Sequence, residues 1–496
     1  MLRTMGIVFL LAVIVGALGC GGASSRANTP GGSNSSLGGG SGDGGGSGDT
    51  SDATVSISPA SETLRTGGQR QFSGFDRTVG QYDVTWNVQE GAAGGTVTAD
   101  GVYTAPNTTG TFHLVATSIA NPSVSATASV KVVNVGFVSI GNMEIARSGH
   151  TATLLPDGRV LVAGGTANAA HSAELFIPAS GSFTPNSGSM IQVRTGHCAT
   201  LLQDGRVLIV GGGNSKGNLF KTAELFDPMT QSFTATGDLN QARNEATATL
   251  LQNGKVLIAG GQDGRGTLLS SAELYDPSTG TFSVTGEMHL ARAQHTATPL
   301  SSGKVLFIGS VSDTDSTELF DPASGLFSAT GSLIHARAHH TATLLPNGKV
   351  LVLGGTQVMP PVGGGAAAQP VSLNSAEIYD PAKGVFQTAG KLLVARDSHS
   401  AALLANGTVL VAGGYTHDFD GDAQPEWYTM VTAELFNPAT SASISAASLE
   451  SDRAEYAATR LNNGEVLVTG GTAGFQELCC SPRPHTSSLA SAEVYK

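Results

Sequence analysis

One phrase recurs seven times along this chain. ARSGHTATLLPDGRVLVAGG (Ala146–Gly165) returns as VRTGHCATLLQDGRVLIVGG (Val193–Gly212), ARNEATATLLQNGKVLIAGG (Ala242–Gly261), ARAQHTATPLSSGKVLFIGS (Ala291–Ser310) and ARAHHTATLLPNGKVLVLGG (Ala336–Gly355). Two looser copies follow, ARDSHSAALLANGTVLVAGG (Ala395–Gly414) and DRAEYAATRLNNGEVLVTGG (Asp452–Gly471). Arg147, Arg194, Arg243, Arg292, Arg337, Arg396 and Arg453 mark the copies; 306 residues separate first from last, six intervals averaging 51. A unit repeated at this period cannot bury its apolar face alone and must stack on its neighbours.

Within a copy, HTATLL alternates like a half-buried strand, and RVLVA is a continuous apolar run expected of a strand covered on both faces. Asp-Gly or Asn-Gly lies between them in six copies, with Ser302-Gly303 in the fourth, and predicts a two-residue hairpin turn with positive φ. A third strand follows the Gly-Gly: SAELF (Ser172–Phe176), TAELF (Thr222–Phe226), SAELY (Ser271–Tyr275), STELF (Ser316–Phe320), SAEIY (Ser375–Tyr379), TAELF (Thr432–Phe436) and SAEVY (Ser491–Tyr495). A turn such as Asp276–Gly280 then leads to a fourth strand, GTFSVTGEM (Gly280–Met288). Charged residues at 13% are too few for a coiled coil, and 66 glycines in 496 residues suit a turn-rich all-β chain.

Four strands per unit, Gly-Gly after the second and an aromatic ending the third resemble a kelch β-propeller blade across residues 136–496. The last copy stops at Tyr495-Lys496, after its third strand, while GFVSIGNM (Gly136–Met143) before the first copy matches the fourth-strand pattern GLFSATGSL (Gly325–Leu333). The expectation is a closed seven-bladed ring in which residues 136–143 complete the last blade, leaving only short outer edges.

Ahead of the repeats, Arg3 and the apolar stretch Met5–Gly19 are too short to span a hydrocarbon core of ~30 Å and read as a signal peptide, residues 1–19. Ala17-Leu18-Gly19-Cys20 resembles a bacterial lipobox, which implies a diacylated Cys20; Gly21 after it implies the outer membrane where the cell has one. Residues 20–52, half glycine between Gly31 and Thr50, read as a flexible tether with a reach of roughly 30 Å. Residues 53–135 carry short alternating strands such as DVTWNV (Asp83–Val88) and GTFHLVATS (Gly110–Ser118). Together with Ala99–Pro106 they resemble a bacterial Ig-like domain of the group 2 type, and Trp86, flanked by Val84 and Val88 at period two, reads as core. The expected fold is therefore all-β, a kelch propeller preceded by a small Ig-like β-sandwich.

A net charge of −12 argues against nucleic acid as a partner. Each repeat's arginine is matched by a glutamate (Glu174, Glu224, Glu273, Glu318, Glu377, Glu434, Glu493), so paired structural ions rank ahead of an electropositive ring. Three residues after the arginine stand His150, His197, Ala246, His295, His340, His399 and Tyr456; structural hydrogen bonding ranks ahead of a metal, because ligands on separate blades diverge.

Irregularity points to binding. The connection from second to third strand is short in the first four copies but lengthens to Thr356–Asn374, Tyr415–Val431 and Thr472–Leu489, three adjacent loops expected beside the channel mouth. Tyr415, Phe419, Trp427, Tyr428, Phe475 and Arg483 are the candidate contact residues. Asp418, Asp420 and Asp422 resemble the start of a calcium loop, but Ala423 and Thr429 break the EF-hand pattern, so a solvated acidic turn ranks ahead of a calcium site and no cofactor is expected. Beyond Cys20, the cysteines Cys198, Cys479 and Cys480 leave the disulfide choice open.

The leading expectation is a monomeric, lipid-anchored module outside the cytoplasm, on the outer membrane or cell surface, that binds a protein or glycan. The alternative is an enzyme resembling the galactose and glyoxal oxidases, or another carbohydrate-active propeller. That oxidase resemblance implies one copper and a tyrosine cross-linked to a cysteine. Cys198 lies within a first strand where Thr151 stands in the first copy, so the oxidase ranks second.

Overall fold

The computed structural model describes residues 55–496 except 78, 81–82, 107, 134–135, 167–170, 187, 313, 360–368, 419–425 and 477–484. The signal peptide, the tether and Cys20 lie outside the described residues.

Contacts divide the described chain into two units, the second beginning at Gly136. In the first, Ser61–Arg65, Ser125–Val133, Gly110–Ser118 and Val84–Val88 make a four-stranded sheet in that order. Gln69–Gln71, Val102–Thr104 and Thr96–Val97 make a three-stranded one, and Val55–Ser58 pairs with Ser73–Asp76. Tyr103 from the three-stranded sheet shares one core with Leu114 and Val130 from the four-stranded sheet and with Phe72. Trp86 packs against Gly101, where a Cβ would sit 3.0 Å from its ring, and so belongs to that core.

The second unit is a ring of seven four-stranded antiparallel sheets, a seven-bladed β-propeller. The first strands lie innermost. Each neighbours the first strands of the blades before and after it, and Ala457–Arg460 of blade seven meets Thr151–Leu154 of blade one. Alternation along the second strands explains their unbroken apolarity. In blade one, Leu161 and Ala163 pack on Val207 and Ile209 of blade two, whereas Val160 and Val162 pack on Leu467 of blade seven. A strand between two blades has no solvent face.

Closure follows the sequence expectation. Phe137–Ser139 pairs antiparallel with Ala492–Tyr495, Phe137 opposite Tyr495, and forms the outer strand of the last sheet. The hairpin turn does not. Leu155 N donates to Arg159 O at 2.8 Å and Gly158 N to Leu155 O at 3.0 Å, a three-residue loop in which only the glycine, at φ 88°, is left-handed. The preceding Asp or Asn braces the loop from its side chain. Asp157 Oδ1 accepts Arg159 N at 3.0 Å, and Asn253 Oδ1 accepts Lys255 N at 3.1 Å.

Candidate binding site

The seven arginines sit at the lead-in to each first strand and are at most 1% exposed. Each pairs with the glutamate of its own blade, from Arg337–Glu377 at 2.5 Å to Arg243–Glu273 and Arg396–Glu434 at 3.0 Å. Each also donates to the first glycine carbonyl after the second strand, Arg147 to Gly164 O at 2.8 Å. The other glutamate oxygen accepts a backbone N–H, as when Glu174 takes Glu144 N at 2.7 Å. Each guanidinium is charge-balanced by the carboxylate of its own blade, although Nε of Arg147, Arg243, Arg396 and Arg453 has no hydrogen-bond partner among the described residues. The arginines are mortar.

The histidines lace neighbouring blades together. His197 Nε2 meets Thr151 Oγ1 of the preceding blade at 3.0 Å, and His295, His340 and His399 repeat this with Thr247, Thr296 and Thr341 at 3.2, 2.9 and 3.0 Å. His150 uses Thr469 at 2.9 Å, because Ala457 stands where that threonine would be. Tyr456 replaces histidine and meets Ser400 Oγ at 2.6 Å. Blades two and three lack both partners; there Cys198 Sγ donates to Ala246 O at 3.0 Å. This places Cys198 within the lacing, while Cys479 and Cys480 lie outside the described residues. Each imidazole lies over the first glycine of the preceding blade, where a Cβ on Gly164 would fall 2.7 Å from His197 Cε1. Among the described residues no three His, Cys, Asp or Glu side chains gather as a metal site.

Burial first, then the nearby arginines, push these histidines down, to about 3 for His197, His295 and His399 and well below 6.5 for His150 and His340. They stay neutral in the fold, while the unfolded chain takes up protons near 6.5. Their contribution is therefore present above that pH and lost as pH falls below it. Between pH 7 and 5 the native protein will lose about 2 kcal/mol more stability than a His340→Gln variant, read from urea unfolding at each pH. Parallel curves would refute the buried neutral state.

Two residues after each arginine comes the innermost ring: Gly149, Gly196, Glu245, Gln294, His339, Ser398 and Glu455. All seven are left-handed, the five non-glycine residues at φ 50–55°. Their backbones link blade to blade: Gly149 N to Glu455 O, Gly196 N to Gly149 O, and onward through Glu245, Gln294 and His339 to Ser398, at 3.0–3.5 Å. At roughly the 4.8 Å spacing of paired strands, seven residues close a ring about 11 Å across. A position that glycine fills without strain twice, yet that elsewhere carries five polar side chains, marks a polar mouth. Sequence reasoning passed over this column; its departure from glycine within an otherwise constant phrase was the available signal.

The three enlarged connections meet beside this mouth, and they are strands rather than loops. Blade five forms the hairpin Thr356–Met359 with Gln369–Ser372. Those of blades six and seven join into one antiparallel sheet in the order Tyr415–Asp418, Glu426–Thr429, Thr472–Gln476, His485–Ser488. Tyr428 lies opposite Phe475 in register. Thr429 Oγ1 donates to Asp452 and accepts Gly474 N at 2.9 Å, pinning the seam between the two connections. The first residues of the three connections bridge to the ring lead-ins: Thr356 to Ala338, Tyr415 to Asp397, Thr472 to Ala454.

Of the candidate residues, Tyr415 and Trp427 are brought together with ring centres 6.2 Å apart, and Tyr428 is 38% exposed on the same sheet. Asp418 ends its strand; Phe419, Asp420, Asp422 and Arg483 lie outside the described residues. Below the sheet, Ser372 Oγ, His417 Nδ1 and Asp397 Oδ2 form a triangle, with 2.6 Å between serine and histidine and 3.1 Å between histidine and aspartate. It is not a nucleophile relay. One imidazole nitrogen meets both partners, whereas a relay uses opposite nitrogens, and Ser372 already donates to Asp397 at 2.7 Å.

A kelch-motif family model matches residues 194–240 and 247–289. Among solved structures, a novel fungal alcohol oxidase with catalytic diversity among the AA5 family, in complex with copper, superposes with a TM-score of 0.54 at 16% identity, covering 73% of this chain and 76% of that one. The structure of YjhT matches at 14% identity and a TM-score of 0.46, covering 62% of this chain and 99% of that one. No curated protein matches the chain. At such identities the oxidase likeness speaks for the fold alone. Among the described residues no three His, Cys, Asp or Glu side chains converge at the mouth, so these residues do not assemble a copper site there.

Proposed function

We propose that this kelch β-propeller is a non-catalytic binding module, tethered by a lipidated Cys20 outside the cytoplasm, whose loop sheet takes a protein or glycan ligand. One observation carries the reading. Blades one to four keep short connections, while those of blades five to seven build supplementary strands at one mouth that blade packing does not require. Rigid strands presenting aromatic side chains suit the flat faces of sugars and the apolar anchors of protein partners. The anchor rests on the signal-peptide and lipobox resemblance of residues 1–20, and the spacer role of residues 53–135 on their Ig-like pattern.

The test is a glycan array together with a panel of purified extracellular proteins, probed with the chain and with Trp427→Ala and Tyr428→Ala variants. Any specific hit will weaken tenfold or more in the variants, with Cys20→Ser abolishing palmitate labelling in cells but leaving the hit intact. Hits that ignore both aromatic substitutions would move the binding surface elsewhere.

A further inference from the structure

The loop sheet has an underside as well as an outer face. Residues directly opposite each other in an antiparallel pair project to the same side. Tyr415 lies opposite Thr429 and His417 opposite Trp427, so these four share one face. It looks onto the lead-ins of blades six and seven. His417 Nδ1 lies 3.1 Å from Asp397 Oδ2, Thr429 Oγ1 donates to Asp452, and the Tyr415 hydroxyl donates to Glu455 Oε1 at 3.4 Å. Three aromatic rings thus stand over three carboxylates.

These acids differ from the glutamates of the blades. Every blade glutamate has its arginine, as Glu493 has Arg453 at 2.6 Å. Among the described residues Asp452 and Glu455 make no ion pair with a lysine, arginine or histidine, and Asp397 has His417 alone. Their other donors are neutral: Ser372 Oγ to Asp397 at 2.7 Å, Gly474 N to Asp452 at 3.0 Å. Asp397 is 3% exposed and Glu455 8%, so negative charge is held out of water with too little countercharge. Burial, first of all, pushes Glu455 up to about 7, the cost of ionising a carboxyl with no cation beside it.

The rings above supply what an organic cation seeks beside a carboxylate. Tyr415 and Trp427 have centres 6.2 Å apart and planes at 56°, a corner rather than a stack, and His417 meets the indole nearly at right angles with centres 4.9 Å apart. Both residues of the corner are partly exposed, yet Trp427 Nε1 is shut off from solvent, so the polar edge of the indole is not what water meets. A cation seated in the corner lies within the ~6 Å over which aromatic faces attract ammonium and guanidinium groups. A metal ion fits less well, since among the described residues no three ligating side chains gather. We propose that the Tyr415–Trp427 corner, backed by Glu455, is a subsite for a lysine or arginine side chain of a protein partner. The net charge of −12 favours encounter with a basic surface. The inference rests on the loop sheet being the binding surface, and it narrows the ligand from protein or glycan to a protein that presents a cation.

In the full chain carrying Trp86→Phe, Trp427 is the sole tryptophan and reports on its own corner. Its fluorescence, near pH 8 and at constant ionic strength, is titrated with acetyl-glycyl-lysyl-glycinamide, its arginine analogue and its uncharged norleucine analogue. Both cationic tripeptides will change the signal saturably in the millimolar range, and the norleucine tripeptide will not. Glu455→Gln will weaken the cations about threefold or more, and Tyr415→Leu will weaken them by a similar factor while Tyr415→Phe, which keeps the ring, will not. Should Glu455→Gln fail to fold, the contrast between the two Tyr415 variants decides alone. No saturable response, an equal response to norleucine, or cation binding indifferent to both Glu455→Gln and Tyr415→Leu would each overturn the subsite. Tetramethylammonium binding where neither tripeptide binds would overturn the protein partner in favour of a small quaternary cation. Array hits that are lost in Trp427→Ala but unmoved in Glu455→Gln would remove the cation and leave the loop sheet as the binding surface.

Discussion

Arg337→Met will cost the propeller about 3–5 kcal/mol, because it strands a buried glutamate. Arg337 is fully buried, and its guanidinium serves several acceptors: Gly354 O at 2.7 Å, Ser375 O at 3.2 Å, Ser375 Oγ at 2.9 Å and Glu377 Oε1 at 2.5 Å. Without it Glu377 keeps the backbone donors Ile334 and His335, at 2.7 and 3.1 Å, and the His335 ring nitrogen Nδ1 at 3.5 Å, too little for a carboxylate 1% exposed. Adding Glu377→Gln should therefore recover part of the loss, a coupling that a double-mutant cycle reads directly. Arg337→Lys will not rescue, since an ammonium offers a point charge where a planar fork spans the gap between second and third strands. Denaturant unfolding at low and high salt checks the mechanism, for a pair sealed from solvent is little screened. A loss below about 1 kcal/mol would mean that the pair behaves like an exposed one.

The same pair shows how far the sequence could be read. Recurrence of Arg147 with Glu174 in every copy is enough to infer one ion pair per blade, with the glutamate of the same or the next blade, and the structure selects the same blade. Strand order was legible from the same recurrence, and the pairing of Phe137–Ser139 with the last blade followed from matching an orphan pattern to a vacancy. What escaped was non-local or conformational. The four residues of Tyr415–Asp418 are too few to specify a register or a partner, and the pairing of Tyr428 with Phe475 joins segments 47 positions apart in different blades. The innermost ring escaped because its meaning depends on φ. Glu245 and Glu455 look like ordinary surface acids until the backbone shows them in the conformation that Gly149 and Gly196 adopt freely. The Asp-Gly turn misled in the opposite way, since the dipeptide fits two hairpin types and the side-chain bond from Asp157 to Arg159 selects the longer one.

A chain beginning at Glu144 will not sustain the closed ring, whereas one beginning at Gly136 will melt as the intact propeller does. The difference is eight residues. They contribute the outer strand of blade seven, with Ile140 N donating to Ala492 O at 3.1 Å and Met143 N to Ala490 O at 2.9 Å. Phe137 stacks edge-on against Tyr495 at 5.1 Å, and Met143, 3% exposed, packs in the wedge between blades seven and one beside Val494 and Val160. Removing a buried Phe and a buried Met costs about 3–5 and 2–5 kcal/mol respectively, a large part of the ~5–15 kcal/mol that holds a domain together. The loss also falls at the only seam where covalent continuity does not already join neighbouring blades, so blade seven is freed to swing outward with Ala492–Tyr495 as an exposed edge. Calorimetry of the two chains, with a synthetic 136–143 peptide added in trans to the shorter one, separates edge from seam. Recovery at millimolar peptide locates the deficit in the missing strand, and equal melting of the two chains without peptide would mean that the seven sheets close without it.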